Sequence, residues 1–472
     1  MKKLLQFLSW MTIIVSGCSD ENTIDFSLMS STQNVITRAG GDGLYDVLGM
    51  SYDATTTYLS DIAVRLPVID CSKIDKNRII ISTASGSNSG YYYGANSEDY
   101  VKDIIRKTQI SLGANSDSIK SCLFGGTLSN NKHLTSKFSY SSQYSFASHD
   151  EVFRIKYLRL NADITLLKQC LSQTFLEDLN NYQPDQFVEA YGTHVLCDVS
   201  IGGRLNMIYR SLIYTETSST AKTRIVKSGF NATIPKILSF NTSSDSEVTI
   251  TETDTKKNEN WSLFVQSHGG RAINNIYTPA GGVPAIDLGT WQGSITEQNA
   301  ALVDVAWEKA IPIYELISDL NKREKIKEAI VRYIQKKKMN ILPIAPVFTS
   351  FNGRDHYYTT VYMPTYGGGG WKNEGAFFSI FTEKISETVP LYQYYGNRDH
   401  YYTTVYNANG IGGRKYECII GYVYPTPMEG AIPLYQAYNG RDHYYTTVYM
   451  PTYGGGGWKN EGILCYVLPI TD

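Results

Sequence analysis

The groups with the clearest capacity for chemistry recur three times near the end of the chain. The motif Arg-Asp-His-Tyr-Tyr-Thr-Thr-Val-Tyr begins at Arg354, Arg398 and Arg441, and a glycine-rich segment follows each copy. Aromatic rings beside hydrogen-bonding side chains suit a sugar or a lipid head group, because sugars offer apolar faces ringed by hydroxyls. The residues that we assign to ligand recognition are Arg354, His356, Tyr357, Trp371, Arg398, His400, Tyr401, Arg441, His443, Tyr444 and Trp458.

Two other roles fit the same motif. The Tyr-Tyr and Arg-Asp-His groups could hold each repeat together, with the aspartate orienting the histidine within its own turn. The three histidines could instead converge on a metal ion at a threefold axis, although no other type of ligand supports that arrangement. We assign no metal and no cofactor to the chain.

The sequence offers little to an enzyme or to a nucleic-acid-binding protein. It contains no nucleophile elbow, Walker loop or HExxH motif, and no pair of carboxylates at a telling spacing. We therefore expect that the protein is not an enzyme. Its formal net charge is −2 and it has no basic block, which argues against nucleic acid as a partner.

The fixed spacing of the three copies predicts one supersecondary unit per repeat, stacked on its neighbours. Each copy contains a Tyr-rich strand pattern and ends in a second apolar strand pattern. Residues 345–472 are therefore predicted to form an all-β domain with pseudo-threefold symmetry. Because a propeller normally has four or more blades, we expect a trefoil-like or prism-like fold.

A second notable stretch lies in the middle of the chain. Tyr191-Gly192-Thr193-His194 is predicted to end a short helix and enter one long strand that contains Gly202-Gly203. Adjacent glycines inside a strand mark a bend, a bulge or the close approach of another element. A second pair, Gly269-Gly270, follows the next strong strand. We assign His194 a structural role and no catalytic chemistry.

Two long polar segments, 108–147 and 215–259, are each bracketed by strong strand patterns. Loops of more than about 15 residues are uncommon in compact domains unless they are functional or disordered. The segments are therefore predicted to have a special role. The alternative is that both are irregular surface insertions.

The Tyr-Gly-Thr-His group followed by Gly202-Gly203 resembles the signature of the membrane attack complex/perforin (MACPF) family, although Val195 stands where that signature prefers Phe or Tyr. The resemblance implies an α+β domain over 41–340, with a bent and twisted central antiparallel sheet flanked by helical clusters. It also implies that 108–147 and 215–259 unfurl into membrane-crossing β-hairpins. The partners would be a target membrane and further copies of the chain in a ring.

The first residues resemble a bacterial lipoprotein signal. A basic start and a short apolar run end in Val15-Ser16-Gly17-Cys18, which is similar to a lipobox. We predict a signal peptide over 1–17, lipidation of Cys18 and a flexible tether over 18–40. The acidic residues after Cys18 resemble the export tag of lipoproteins of Bacteroides-like bacteria, which implies the outer membrane, the cell surface or secretion.

These features predict a pore-forming protein of the perforin-like class, an antibacterial or cytolytic toxin that recognises a lipid, a glycan or an outer-membrane receptor. The alternative is a non-lytic surface lipoprotein that binds glycans through its Tyr-rich repeats. The weak amphipathicity of both segments supports the alternative, and segment 215–259 carries Lys222, Arg224, Lys227 and Asp245 beside few large apolar residues.

The lipobox interpretation predicts that Cys18→Ser releases the protein from the membrane fraction, because acyl chains on Cys18 would supply the anchor. Cell fractionation combined with lipid labelling measures this. A variant that stays membrane-bound without the label would show that the interpretation is wrong.

Overall fold

A computed structural model gives the fold of the chain. It describes residues 41–113, 117–129, 142–213, 215–216, 218–238, 245, 247–281, 283–339, 341–362, 370–449, 451–452 and 456–470. The predicted signal peptide, Cys18 and the tether lie outside these residues. Among the described residues, no helix is long and apolar enough to cross a membrane.

The chain forms an α+β structure, as predicted. The strands are β1 (Met50–Tyr52), β2 (Val64–Pro67), β3 (Ile79–Gly94), β4 (Tyr144–Leu160), β5 (His194–Val195), β6 (Asp198–Leu212), β7 (Glu259–His268), β8 (Asn274–Tyr277), β9 (Ala301–Val305), β10 (Ile311–Pro312), β11 (Ile344–Phe351), β12 (His356–Thr359), β13 (Lys372–Phe381), β14 (Val389–Gly396), β15 (Asp399–Thr403), β16 (Lys415–Val423), β17 (Ile432–Tyr438), β18 (His443–Thr446) and β19 (Lys459–Pro469). The α-helices are α1 (Ser97–Thr108), α2 (Asp117–Lys120), α3 (Gly126–Ser129), α4 (Ile164–Gln169), α5 (Gln173–Asn181), α6 (Pro184–Tyr191), α7 (Ser219–Ile237), α8 (Glu252–Lys256), α9 (Leu288–Gly293) and α10 (Leu320–Lys336).

A central antiparallel sheet with the order β3-β4-β6-β7-β8 organises the first domain. Because successive side chains of a strand point to opposite faces, the buried residues of β6 belong to two core clusters. Ile208 and Leu212 pack in the larger cluster, whereas Leu205, Met207 and Tyr209 pack in the smaller one. Both faces of this half of β6 are therefore covered.

The central sheet is irregular at one level across several strands. The register of β4 shifts against β3 next to Gly86 and against β6 opposite Gly202. At the same level β6 changes its other partner, since residues 199–202 pair with β9 and residues 204–212 pair with β7. Because β-bulges bend a strand and increase its twist, this level is the bend that the glycine pair predicts.

The predicted single strand after His194 is wrong in one respect. His194 and Val195 form β5, which lies between β1 and β10 in a separate four-stranded sheet of order β10-β5-β1-β2. The chain crosses to the central sheet at Leu196 and Cys197, whose backbone groups bond to other segments. Both residues are apolar, so the strand pattern continues through a break that tertiary contacts impose.

The two polar segments contain helices. In the first segment, α2 and α3 are single short turns, and its end from Tyr144 onward already belongs to β4. Residues 130–141 of that segment lie outside the described residues. In the second segment, α7 is one long helix. Val226, Phe230 and Ile234 of α7 are buried at intervals of four residues, a helical pattern that the surrounding Ser, Thr and Lys obscure.

Each repeat of the second domain forms a three-stranded sheet, and the three are joined into one nine-stranded sheet. The sheets have the orders β12-β11-β13, β15-β14-β16 and β18-β17-β19, and the equivalent residues Val347, Leu391 and Leu434 share one core. Pairing between sheets is confined to a few residues of β13, β16 and β19. A closed barrel requires continuous ladders between its strands. The repeat domain is therefore all-β, as predicted, and its three sheets are joined by short ladders.

The repeat domain contacts the start of β4. The backbone N–H of Ser142 donates to the carbonyl of Leu342, and its hydroxyl donates to the carbonyl of Ile344 at 3.1 Å. The adjacent Gln143 amide donates to the Ser379 hydroxyl at 3.2 Å. The two domains therefore meet near the end of the first polar segment.

We expect Gly202→Ala to lower the free energy of unfolding by about 2 kcal/mol, because a Cβ there would overlap the backbone of Phe153 in the neighbouring strand. Gly293→Ala is the matched control, since nothing lies within 4 Å of a Cβ at that position. Denaturant unfolding of both variants measures the difference, and equal stability would contradict the close packing of the bend.

Candidate functional site

The signature begins where α6 ends. Helix α6 starts with Pro184, which suits a first helical turn. At its end, the Tyr191 ring stacks on Phe187 and its hydroxyl donates to Asp178 at 2.8 Å. Gly192 has φ +70°, and a Cβ there would lie 2.7 Å from the Cα of Asp53. The signature glycine therefore permits both the left-handed backbone and the close approach of another segment.

Thr193 and His194 form a buried hydrogen-bond chain. The Nε2 of His194 donates to the backbone carbonyl of Ser111 at 2.9 Å, because a carbonyl can only accept. Its Nδ1 lies 2.7 Å from the Thr193 hydroxyl and accepts from it. Burial lowers the pKa of His194 to about 4. The histidine is therefore a neutral structural group, in line with the role that the sequence assigns to it.

The same two residues position the first polar segment. Thr193 also bonds to the loop that follows β1, through the backbone of Tyr52 and Ala54. That loop in turn accepts a hydrogen bond from the N–H of Phe124, which lies between α2 and α3. His194 holds the carbonyl of Ser111, and Tyr314 holds the next carbonyl at 2.6 Å. The signature thus fixes both the entry to the segment and its two short helices.

The two predicted glycine pairs meet at the bend. A Cβ on Gly269 would overlap the carbonyl oxygen of Gly202, and Gly269 and Gly270 both have φ near +70°. A Cβ on Gly203 or on Gly270 would press on Ile295, which follows α9. The four glycines therefore let β6, the turn after β7 and the end of α9 pack in contact.

Next to the bend lies a buried charged cluster that the sequence did not predict. Arg204 is 1% exposed and donates to Asp150 at 3.1 Å and to the carbonyl of Leu59 at 2.8 Å. Burial, with a smaller contribution from Arg204, lowers the pKa of His268 to about 3. Burial raises the pKa of Asp61 to about 6. The one feature of the sequence that could have indicated this cluster is Arg204, a charged residue directly after the glycine pair.

Helix α7, in the second polar segment, is fastened to the central sheet by polar contacts. The Tyr93 hydroxyl of β3 donates to Asp245 at 2.9 Å and accepts from Asn231 of α7 at 3.2 Å. Arg224 forms an ion pair with Asp254 at 2.9 Å. Lys222 donates to the carbonyl of Ser142 at 3.1 Å. These polar contacts add to the burial of Val226, Phe230 and Ile234 against the central sheet, so polar and apolar contacts together hold α7.

In the repeat domain, aspartates and histidines join neighbouring repeats. Nδ1 of His400 lies 2.7 Å from Asp355 of the preceding repeat, and the backbone N–H of His400 donates to the same carboxylate. His443 bonds to Asp399 in the same way, and His356 bonds to Asp442, which closes the ring. The proposed bond within one turn is therefore wrong. Each bond crosses between repeats, because each His follows its own Asp directly but faces the Asp of the preceding repeat.

Three tyrosines close a second ring around the same axis. The hydroxyl of Tyr358 donates to the carbonyl of Tyr445, that of Tyr445 donates to Tyr402, and that of Tyr402 donates to Tyr358. Their rings meet edge to face at 5.3 Å. The second tyrosine of each Tyr-Tyr pair is thus structural and buried, and only the first remains for recognition.

The three histidines do not converge on a metal site. Three carboxylates do approach one another, since oxygens of Asp355, Asp399 and Asp442 lie within 4.8 Å and could hold a metal ion. Both oxygens of each carboxylate already accept hydrogen bonds from the facing histidine. The carboxylates therefore have partners without an ion.

The other predicted recognition residues lie around this ring. Arg354, Arg398 and Arg441 are exposed in the turns directly before the clustered aspartates. The partly exposed rings stand between repeats, in contact with the histidines or with one another: Tyr357, Trp371, Tyr401, Tyr444 and Trp458. The structure thus brings all eleven predicted residues to one end of the repeat domain, at the level of the aspartates.

A model of the MAC/Perforin domain matches residues 95–342, which is more than half of the chain. The chain belongs to the MAC/Perforin family. A second family model, described as a domain of unknown function (DUF5648), matches residues 346–468. No curated protein matches the chain.

Solved structures share this fold at low sequence identity. GNIP1Aa from Chromobacterium piscinae is 15% identical, with a TM-score of 0.50 over 92% of this chain and 83% of that one. A MAC/Perforin-domain protein from Bacteroides thetaiotaomicron is 14% identical, with a TM-score of 0.49 over 72% of this chain and 69% of that one. At these identities the likeness shows the fold alone.

The neutral state of His194 makes the MAC/Perforin domain sensitive to acid. Its pKa is about 4 in the folded protein against 6.5 in the unfolded chain, so the unfolded state binds the proton more readily. Stability is fully present above about pH 6.5 and declines as the pH falls toward 4.

We therefore expect the parent protein to lose about 2 kcal/mol more than His194→Gln between about pH 7.5 and pH 4.5. Glutamine does not titrate, and its amide can still donate to Ser111. Denaturant unfolding at both pH values measures the loss. Equal losses in parent and variant would show that His194 does not cause the sensitivity.

Proposed function

We propose that the protein forms pores, by assembling on a target membrane and inserting β-hairpins from its two polar segments. The observation that carries this proposal is where those segments lie in the chain. The first connects β3 to β4 and the second connects β6 to β7, and each pair is adjacent and antiparallel in the central sheet. A helix-to-strand change in either segment would therefore lengthen an existing hairpin.

The alignment of the strand ends supports the proposal. The ends of the four strands lie at one level, because Gly94 pairs with Phe146, Tyr144 pairs with Leu212, and Leu212 pairs with Glu259. A membrane-spanning strand needs about 9 to 11 residues, and both segments are long enough for two such strands. Strands that continue a closed ring of such sheets would satisfy their backbone groups in lipid.

Further parts of the proposal concern location and assembly. Lipidation at Cys18 would place the protein on the outer membrane or the cell surface, or would accompany its secretion. Assembly into a ring would bring the sheet edges of neighbouring copies together. The activity would be antibacterial or cytolytic, and no enzymatic step would be required.

A second candidate function is a non-lytic surface lipoprotein that binds glycans through the repeats. The structure of the second polar segment favours this function. Helix α7 contains Pro235 and makes polar contacts to its surroundings. In residues 247–251, Val248 and Ile250 alternate with polar residues, yet these residues form no strand. Proline removes a backbone donor from a strand, which disfavours it in the middle of a transmembrane barrel.

Leakage of a trapped dye from vesicles of phosphatidylethanolamine and phosphatidylglycerol separates the two functions. The full-length protein with Cys18→Ser is expected to release the dye. Tyr93→Phe in that background should release it faster, by up to about tenfold, because it removes the hydroxyl that holds Asn231 and Asp245.

Tyr157→Phe is the matched control, since its hydroxyl bonds to Asp198 in the central sheet and is remote from α7. An equal effect of both variants would point to general destabilisation. Membrane binding without leakage, in the parent and in Tyr93→Phe, would refute the pore and leave the binding function.

A further inference from the structure

We propose that two of the three corners between the repeats bind sugar rings, whereas an ion pair closes the third. Corner one lies between repeats one and two, corner two between repeats two and three, and corner three between repeats three and one. The proposal rests on the recognition role proposed for the repeat domain, and it adds the ligand class and the number of sites.

Corner one has an aromatic wall and a fixed polar group. Tyr357 and Trp371 of repeat one lie 4.9 and 5.9 Å from the His400 ring of repeat two, measured between ring centroids. Tyr395 covers another side of that histidine at 4.5 Å. Asp355 holds Nδ1 of His400, so the ring is fixed and its Nε2 is left to a ligand.

Corner three repeats this arrangement with residues from the other end of the domain. Tyr444 and Trp458 lie 5.0 and 6.0 Å from the His356 ring, and Phe351 stacks on it at 4.4 Å. Nε2 of His356 stands 3.9 Å from the Glu374 carboxylate. That distance exceeds a hydrogen bond, so both groups keep capacity for a hydroxyl.

Corner two is built differently. Arg414 stands where the other repeats carry Trp371 and Trp458. Its Nε donates to Asp399 at 2.8 Å, and its guanidinium carbon lies 5.4 Å from the centre of the Tyr401 ring. The face of Tyr401 that a sugar would use is therefore occupied by a cation bound to a buried carboxylate.

The backbone shows the same division. In repeats one and three, the side chains of Asn352 and Asn439 accept from two backbone N–H groups and shape a longer turn. In repeat two, a two-residue turn has Asn397 and Arg398 at φ +56° and +63°. The aromatic walls of corners one and three therefore come from repeats with one kind of turn, and Tyr401 of corner two comes from the repeat with the other kind.

The chemistry of the two open corners favours a sugar over other ligand classes. A sugar ring packs its C–H face on an aromatic ring and needs fixed partners for its hydroxyls. A purely apolar ligand would leave His400 and His356 without partners for Nε2.

An array of immobilised neutral and acidic oligosaccharides tests the proposal, with the full-length Cys18→Ser protein as the parent. Because one molecule can engage an immobilised array through both corners at once, Trp371→Ala and Trp458→Ala should each lower the apparent affinity about tenfold, and the double variant should bind no oligosaccharide. Tyr401→Ala, which removes the equivalent wall of corner two, should change affinity by less than about twofold. Tyr406→Ala is a second control, because it removes an exposed ring outside the corners.

Thermal melting of every variant accompanies the array. If an alanine variant unfolds, Trp371→Phe and Trp458→Phe keep an aromatic wall with less area and should lower affinity by a smaller factor. The bound oligosaccharide is then tested in free form and as a glycolipid in phosphatidylcholine vesicles. Binding in both forms supports a sugar site, and binding to the vesicles alone contradicts it.

The proposal is overturned if the parent binds no oligosaccharide, if the double variant still binds, or if Tyr401→Ala costs as much as Trp371→Ala. Dye leakage from sugar-free vesicles tests the pore separately. Sugar binding without leakage refutes the pore and leaves the corners standing, whereas leakage without sugar binding refutes only the corners.

Discussion

The hydrogen bond from the buried His194 to the carbonyl of Ser111 is the constraint on which the first domain depends. Because that carbonyl can only accept, the histidine must keep its proton on Nε2, and burial of the ring keeps it neutral. Thr193 fixes that tautomer by donating to Nδ1, and it also bonds to the loop after β1. Two adjacent side chains thus hold two other segments, which are the loop after β1 and the start of the first polar segment.

At the bend of the central sheet, closely packed backbones lie beside a buried charge that is unfavourable to remove from water. Its glycines let backbones touch where any side chain would overlap, and Arg204 lies directly beside them as a buried charge. Taking such a charge out of water is unfavourable unless its partners are well placed, and Asp150 and the Leu59 carbonyl are its partners here. A change of the bend that separated these groups would leave charges buried without partners. Movement at this level therefore has to carry Arg204, Asp150 and the loop after β1 together, or expose them to water.

The sequence predicted those parts of the fold whose residues have a local reason to be there. Adjacent glycines in a strand have few explanations other than a bend, so Gly202-Gly203 and Gly269-Gly270 could be located, although their contact with each other could not. The break at Leu196 could not be found, because apolar residues suit a strand whether it continues or crosses to another sheet. The Tyr93 contacts to α7 were equally hidden, since a tyrosine in a strand pattern does not show which distant residue its hydroxyl meets. A period likewise reveals equivalent residues in the repeats, but it does not show that each aspartate serves the next copy.

In the repeat domain, the residues that close the two rings are the same in all three copies, whereas residues further from the axis differ. The Asp–His bonds and the tyrosine ring close only if all three copies contribute, so a change in one copy would open the ring for the other two. Residues one step further from the axis contact only one neighbouring repeat, and a change there is confined to one corner. Arg414 occupies such a position, because it bonds to Asp399 without disturbing the bond between Asp399 and His443. The ring is consequently constant among the copies, and differences in chemistry among them are expected at the corners.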